Sequence, residues 1–369
     1  MRRLLLCLPF ILVLGLASAQ STVDTTQAQA MLKLLESCHA GDVPPTAIEQ
    51  VMGLPGTQLI IAQQNISRRI TPAQYQTVLA SACKGETSDI QPSEPGARAE
   101  KGVQGLTRDV APSLIWGRDN VDFLKRRLVA AQENKLFGEV VPLALQNLPE
   151  KVALSPQLYI VMGGRAGAAA FDDGIYIDVL SDAWRSREKG SPMTAQEMLE
   201  FFAHETHHVG YGEILDEKRQ QLHLAGGEDQ AWRFLKALMM EGSATLLINA
   251  HGSWAELEKQ NHIQADLPRV PQLLKETQSL LQQTLKGEMS DLNYQAAISD
   301  FFGEGYHATG ARLLYVIEEV QGKPGVMRVM EDPRKLLVVY NECAAKKNET
   351  FRFDPQVAKA LQQLGTSSK

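Results

Sequence analysis

The sequence predicts a mainly helical α+β fold, with one large domain preceded by a small helical unit. Apolar residues recur at helical spacing in most segments, and from Thr194 onward nearly every segment has this pattern. Only two short runs are rich in β-branched and aromatic residues: LYIVMGG at 158–164 and GIYIDVL at 174–180. Of the 369 residues, 44% are hydrophobic and 22% are charged. This composition supplies a sizeable core and argues against wholesale disorder.

The first 19 residues have the three parts of a secretory signal peptide. Arg2 and Arg3 form a basic end, an apolar run follows at 4–16, and Ala17-Ser18-Ala19 fits the small-x-small rule for cleavage. A membrane anchor is the alternative, but the run is short for a span of roughly 20 residues. We therefore expect a secreted or periplasmic protein with no stable membrane insertion after cleavage at residue 19.

The exported chain is acidic. The formal net charge is −6, and loss of the two arginines in the signal segment moves it to −8. An acidic chain without a block of basic residues is a poor partner for nucleic acid or for an anionic membrane surface. We therefore expect no nucleic-acid partner and no stable membrane insertion, and the sequence leaves the oligomeric state open.

A small helical unit is predicted at 20–83. Apolar residues fall at helical spacing in DTTQAQAMLKLLESC and in TPAQYQTVLASAC, and Pro- and Gly-containing turns punctuate the chain between them. These two segments end in Cys38 and Cys83, and an oxidising compartment permits a disulfide between the two. Cys343 would then be free. Unpaired thiols are the alternative, because spacing alone does not fix connectivity.

A linker is predicted at 84–105, and the main domain at 106–364. The linker is nearly free of large apolar side chains and is rich in Pro, Gly, Ser and charge. In the main domain, the runs at 158–164 and 174–180 predict a strand pair, joined by the small-residue connection RAGAAAFDD. The chain contains no GxxxxGK[ST] or GxGxxG pattern, so these glycines predict a turn rather than a phosphate loop.

The segment TAQEMLEFFAHETHHVG, at 194–210, predicts a helix with a defined beginning and end. Thr194 followed by Glu197 is a capping-box pattern. Gly210 can supply the left-handed residue that ends a helix. The apolar residues of the segment predict a buried helix, so its histidines lie on a helix rather than in a loop.

His204 and His208 are four residues apart, so they point to the same side of this helix and can share one Zn²⁺. Glu205 is rotated by about 100° from His204 and can reach a water at the metal without being a ligand. His207 also lies near this face. We interpret it as a flanking residue, because pairing it with His204 leaves no glutamate in the base position. A helix with hydrogen-bonded structural histidines is the alternative.

The third metal ligand must come from elsewhere, since catalytic zinc usually takes three protein ligands and keeps one position for water. No third histidine at the required spacing follows His208. The next candidate is Glu241, in the middle of a mostly apolar helical segment at 228–252. A lone carboxylate there is costly unless it is paired or metal-bound, so we predict Glu241 as a ligand. Its alternatives are solvent exposure or pairing with Arg233 or Lys236.

HETHH followed by EGSA, which begins 33 residues after His208, resembles the gluzincin class of zinc metallopeptidases. The resemblance is closest to bacterial families of zinc-dependent peptidases of unknown function, and it spans about 155–345. It implies a zincin-like catalytic domain in which two helices supply His, His and Glu. The chain departs from many gluzincins because Met240, rather than Asn, precedes Glu241.

The resemblance also implies a residue that stabilises the oxyanion on a later helix, GEGYHATGARLLYVIEEVQG at 303–322. Tyr306 and His307 are the two candidates, and Tyr306 together with Gly310 matches the pattern of the family. From the residues alone, both are hydrogen-bond donors just after a Gly-rich helix entry. A packing role at the helix start is the alternative for both.

The residues and the resemblance together predict an exported peptidase with one catalytic Zn²⁺. In this hypothesis His204, His208 and Glu241 hold the metal, and Glu205 is the general base for the metal-activated water that attacks a peptide bond. A peptide or protein is then the expected substrate. By analogy with the class, the run at 174–180 forms the sheet edge along which an extended substrate pairs.

Two alternatives from other functional classes remain. One is a zinc hydrolase of a non-peptide amide, such as a cell-wall amide, whose metal site could be identical. The other is a non-catalytic exported binding protein on a zincin fold, against which the intact Glu205 argues.

Overall fold

The computed structural model describes residues 23–42, 45–67, 69–133, 135–149, 152–164, 168–171, 174–189, 191–259, 263–264, 266–301 and 305–366. The predicted signal peptide at 1–19 lies outside these residues. No helix in the described ranges combines the length and the apolarity that a bilayer span requires. The mainly helical α+β class predicted from the sequence is confirmed.

One four-stranded sheet is present in the described residues. Its strands are β1 (Val23–Asp24), β2 (Leu158–Val161), β3 (Ala168–Phe171) and β4 (Gly174–Asp178), in the order β1-β2-β4-β3. β1 and β4 run parallel to β2, whereas β3 is antiparallel to β4. The two strands predicted from the sequence are therefore both present, and they pair with each other.

The connection between the predicted strands contains a further strand, β3, where the sequence predicts a turn. Alanine is depleted in strands, so the local sequence gives little sign of it. Pairing with β4 decides its structure, from Ala168 opposite Ile177 to Phe171 opposite Gly174. This pairing places β4 inside the sheet, between β2 and β3. The prediction that 174–180 forms the sheet edge is therefore wrong, because β3 occupies that edge.

The helices of the first half of the chain are short. They are α1 (Thr26–His39), α2 (Pro45–Met52), α3 (Pro55–Ser67), α4 (Pro72–Lys84), α5 (Ala97–Gly105), α6 (Ala111–Asp119), α7 (Val121–Gln132), α8 (Val140–Leu145) and α9 (Val179–Lys189). A π-helical turn at Leu106–Val110 joins α5 to α6, and a 3-10 turn at Lys135–Glu139 precedes α8.

The N-terminal helices share a core with the sheet. β1 pairs with β2, and α1 contacts β2, α6 and α7. Buried apolar residues from Ala28 to Phe202 form one continuous cluster. The predicted linker also contributes structure, since α5 lies within it. The domain boundaries at 83 and 106 stay predictions, because the segments on either side of them pack into the same core.

The cysteines are paired as the sequence analysis proposed. Cys38 on α1 and Cys83 on α4 form a disulfide, and Cys343 is a buried free thiol. The bond joins residues 45 positions apart, so it removes conformational freedom from the unfolded chain.

The second half of the chain is helical. It contains α10 (Ala195–Leu222), α11 (Gly226–Ala244), α12 (Trp254–Leu257), α13 (Val270–Leu285), α14 (Asp291–Phe301), α15 (Gly305–Glu331), α16 (Leu336–Lys346) and α17 (Pro355–Gln362). A π-helical turn at Thr245–Asn249 continues α11, and 3-10 turns at Leu267–Arg269 and Pro333–Lys335 precede α13 and α16. Buried residues from Leu148 to Leu364 form a second apolar cluster.

α10 runs further than the sequence predicted. Gly210 does not end the helix, which continues to Leu222 and stops at His223 in a left-handed conformation (φ 52°). Gly210 serves close packing instead, because a Cβ there would lie 2.7 Å from Leu148 Cδ1 and 2.9 Å from Leu154 Cδ1. The early part of α10 packs with the sheet cluster and its later part with the helical cluster, so the helix connects the two cores.

α11 and α15 cross in backbone contact. A Cβ on Gly242 would overlap the backbone of Gly310, and a Cβ on Gly310 would overlap the carbonyl oxygen of Leu238. Only glycine permits so close an approach at both positions. α15 corresponds to the helix predicted at 303–322; residues 302–304 lie outside the described ranges, and the helix bends at Gly322 (φ 64°) shortly before Pro324.

Candidate metal centre

The beginning of α10 is fixed by two sets of contacts. The predicted capping box is confirmed: Glu197 N donates to Thr194 Oγ1 at 3.2 Å, and Thr194 N donates to Glu197 Oε2 at 2.6 Å. Upstream, Met193 N donates to the Asp182 carboxylate, which also pairs with Arg127 at 2.7 Å. The helix that carries the motif therefore begins at a defined position relative to α7 and α9.

His204 and His208 project from α10 towards α11. Their ring centroids are 4.5 Å apart. His204 Nε2 lies 3.5 Å and His208 Nε2 lies 3.1 Å from the same oxygen, Oε2 of Glu241. The three predicted metal ligands are thus brought together by the contact between α10 and α11.

A third imidazole reaches the same carboxylate. His307, at the beginning of α15, places Nε2 3.0 Å from Glu241 Oε2. The ligand atoms of His204, Glu241 and His307 lie within 4.8 Å of one another, which is close enough for a shared metal ion. Imidazole nitrogen and carboxylate oxygen are donors that Zn²⁺ prefers in proteins, so the residues present fit a zinc ion.

The alternative partners of Glu241 are occupied elsewhere. Arg233 pairs with Asp229 at 3.1 Å, and Lys236 pairs with Asp216 at 2.6 Å. The carboxylate of Glu241 faces the histidines instead of either cation on its own helix.

The electrostatics show how strongly these side chains interact. Burial by itself would raise the pKa of Glu241, but the charge of His208 and the hydrogen bonds from the three imidazoles hold that pKa well below its usual range. Burial would lower the pKa of His208, but the Glu241 carboxylate, and then Glu205, raise it to about 9. Glu241 is therefore ionised.

His204 has a second buried contact. Its Nδ1 lies 2.6 Å from Oδ1 of Asn249, the last residue of the π-helical turn after α11. No sequence pattern predicts a role for Asn249. The only signal for it was an asparagine at the end of an apolar helix, eight residues after Glu241.

His207 is directed at a different part of the structure. Its Nε2 lies 3.3 Å from the carbonyl oxygen of Asn147, and its ring packs against Tyr211. Burial, followed by the neighbouring charges of His208 and His204, lowers its pKa well below the usual range. His207 is therefore a neutral, fully buried ring.

Comparison with known proteins agrees with this geometry. Residues 48–349 match a family described as "Putative zinc dependent peptidase (DUF5700)". The chain belongs to this family. The match includes the motif helix, Glu241 and His307, and it confirms the resemblance to zinc-dependent peptidases of unknown function. Neither the curated proteins nor the solved structures contain a match to the chain.

The description of the family names zinc dependence. The groups around the four converging side chains are therefore relevant to function. Glu205 is partly buried, and its charge acts on His208 and also helps to raise the pKa of Tyr176 above the usual range, after burial and Asp178. Tyr176 lies on β4, and its buried hydroxyl has no hydrogen-bond partner within the described ranges. In sequence this tyrosine is one residue of an apolar run, and no pattern predicts a functional role for it.

The two oxyanion candidates occupy different environments. His307 lies at the Glu241 carboxylate, as described above. Tyr306 packs its ring against Phe234, with centroids 5.8 Å apart, and burial raises its pKa well above the usual range.

Proposed function

We propose that this protein is an exported, zinc-dependent peptidase with a zincin-like catalytic region. The observation that carries the proposal is the convergence of His204, His208 and His307 on the Glu241 carboxylate, with nitrogen–oxygen distances of 3.0–3.5 Å. These donors come from three separate helices, and their types match the zinc dependence that the family description names.

In this proposal His204, His208 and Glu241 hold the metal. Three protein ligands leave one coordination position open, as catalytic zinc sites require. When bound, Zn²⁺ supplies Lewis-acid polarisation of the scissile carbonyl and lowers the pKa of a water ligand towards about 7.

Glu205 is the proposed general base. It follows His204 directly on α10, and its charge contributes to the raised pKa of His208. Glu205 takes a proton from the attacking water and returns it to the leaving amine.

His307 is the proposed hydrogen-bond donor to the carbonyl oxygen on which charge develops. A fourth protein ligand would close the coordination sphere, whereas a donor beside three ligands keeps it open and stabilises the tetrahedral oxyanion. Tyr306 then supports α15 through its packing on Phe234. The outer strand β3, which contacts α10, is the proposed strand along which an extended peptide pairs.

The proposed compartment is secreted or periplasmic. The N-terminal pattern of basic, apolar and small residues supports cleavage after Ala19, and the Cys38–Cys83 disulfide is typical of oxidising compartments. N-terminal sequencing of the mature protein should give Gln20 as its first residue.

The test of the proposed activity is metal analysis and peptide hydrolysis, performed on the mature protein and on Glu205→Gln. We expect about one zinc per chain in both proteins and a roughly 10²–10⁴-fold slower hydrolysis in the variant. A correctly folded parent without zinc affinity would contradict the proposal. Zinc binding together with hydrolysis of cell-wall amides, and not of peptides, would replace the peptidase by an amide hydrolase.

A further inference from the structure

We propose that Asn249 is a positioning residue that holds His204 in the tautomer and orientation needed for metal binding. This inference rests on the proposed zinc function, but its geometry stands on contacts that need no metal. Asn249 and His204 come from neighbouring elements and lie 2.6 Å apart, Oδ1 to Nδ1. Their exposed fractions are 6% and 7%, so water does not compete for this contact.

The chemistry of the contact fixes the ring. An amide oxygen only accepts hydrogen bonds, so the proton must be on Nδ1 of His204. With Nδ1 protonated, Nε2 is the ring atom that remains to bind a metal, and it faces Glu241 at 3.5 Å. A histidine ligand requires this arrangement, and a partner on the second nitrogen sets both the tautomer and the ring plane.

The π-helical turn explains how Asn249 reaches α10. In a regular α-helix, a residue eight positions after Glu241 would be rotated by about 80° from it. The turn Thr245–Asn249 replaces regular geometry with wider bonds, including Ala250 N to Thr245 O at 3.0 Å, and so changes the direction of the side chain. π-Helical turns are often found at functional sites, where they redirect one side chain in this way.

A second contact holds the end of this turn on α10. His251 has a left-handed backbone (φ 49°), and its Nε2 lies 3.2 Å from Oε1 of Glu200. Glu200 is one helical turn before His204, so the segment at 249–251 contacts α10 at two successive turns. Next to it, Gly252 is also left-handed (φ 77°), and a Cβ there would lie 2.9 Å from Glu318 Oε1. The segment therefore has little freedom to move Asn249 away from His204.

The other motif histidine lacks such support. Nδ1 of His208 is buried and has no hydrogen-bond partner among the described residues. Positioning through a buried amide is thus specific to His204. A substitution at 249 should act on one ligand of the metal and leave the other in place.

The experiment compares three variants of the full mature protein. Asn249→Leu removes the acceptor at similar size, and Asn249→Asp keeps an acceptor oxygen. Thr245→Val is the matched control, because Thr245 lies in the same π-helical turn and its buried hydroxyl has no hydrogen-bond partner in the part of the chain that the structure describes. Zinc dissociation constants are measured by competition with a chromophoric chelator. We expect about 10–100-fold weaker binding for Asn249→Leu, and a change below about threefold for the other two.

A second readout needs no metal. In the metal-free parent, ¹⁵N NMR should show a proton on Nδ1 of His204. Asn249→Leu should move part of the population to the Nε2–H tautomer, whereas Asn249→Asp should not.

The possible outcomes separate the two proposals. A folded parent with no zinc affinity defeats the proposed function, while the NMR experiment still tests Asn249. Equal zinc affinity of Asn249→Leu and Thr245→Val overturns the inference while leaving the zinc function intact. If Asn249→Leu does not fold, an Nε2–H tautomer of His204 in the parent is sufficient to overturn it.

Discussion

The two halves of the candidate metal centre are built in different ways. On α10, His204 and His208 share a face because they are four residues apart on one continuous helix. Glu241 and His307 come from α11 and α15, and they meet only because these helices cross at Gly242 and Gly310. Gly242 is the residue after Glu241, and Gly310 is one turn after His307, so the crossing point and the donors are adjacent. The first half is determined locally, whereas the second depends on long-range packing.

The two halves of the site are therefore expected to respond differently to substitution. A helix face tolerates small changes, because the spacing of its residues is set by backbone hydrogen bonds. A helix crossing in backbone contact has no such tolerance, because one added methyl group must displace a whole helix. The half that depends on the helix crossing, which contains Glu241 and His307, is therefore expected to be the more sensitive to substitution.

Substitution of His307 is the most direct test of the half of the site that depends on the helix crossing. Replacement by alanine should slow peptide hydrolysis by about 10²–10³-fold, mainly in kcat, because a donor to the oxyanion is lost. Zinc content should stay near that of the parent. Tyr306→Phe is the control and should change kcat only a few-fold, since the ring still packs on Phe234. Loss of zinc from His307→Ala would instead make His307 a metal ligand.

The contact between the two halves should make the metal-free protein sensitive to pH. The pKa of His208 is raised from its unfolded value near 6.5 to about 9, chiefly by Glu241. This contribution to stability is complete below pH 6.5 and is lost as the pH rises through about 9. It amounts to on the order of 3 kcal/mol if His208 carries the whole shift.

Urea denaturation of chelator-treated protein between pH 6 and pH 10 measures this effect. Glu241→Gln should remove most of the decline in the free energy of unfolding over that range. An equal decline in parent and variant would show that Glu241 and His208 do not interact in the metal-free state.

Gly310→Ala should break the crossing itself. Its Cβ would overlap the carbonyl oxygen of Leu238, so α15 must move away from α11. We expect a loss of about 1–3 kcal/mol in the free energy of unfolding, together with slower hydrolysis as His307 leaves Glu241. Thermal and urea denaturation give the first quantity. Unchanged stability and activity would mean that the helices are not in backbone contact.

Gly212→Ala is the corresponding change in the local half. Gly212 lies inside α10, and a Cβ there would meet nothing closer than Met240 Cε at 3.8 Å. The substitution should raise the free energy of unfolding by about 0.5–1 kcal/mol, because alanine favours a helix interior over glycine. Zinc affinity should not change. A destabilisation as large as that of Gly310→Ala would remove the distinction between the two halves.

The fold shows the same division between local and long-range information. The capping box at Thr194 and both main strands followed from short patterns, and the structure contains all of them. The strand at Ala168–Phe171 was missed because its alanines have weak strand preference and only the pairing with β4 defines it. Gly210 was misassigned as a helix end for a related reason: a glycine needed for close packing has the same appearance in sequence as a glycine needed for a left-handed residue.

The sequence by itself determined the half of the metal centre that lies within one helix. The spacing of His204 and His208, with Glu205 between them, follows from the helical repeat, and the apolar surroundings of Glu241 marked it as a carboxylate in need of a partner. Only the tertiary structure brought His307 to that carboxylate and turned Asn249 onto His204. The physical reason is that a helical repeat relates residues a few positions apart, whereas the crossing at Gly242 and Gly310 and the π-helical turn relate residues through packing, which no short segment encodes.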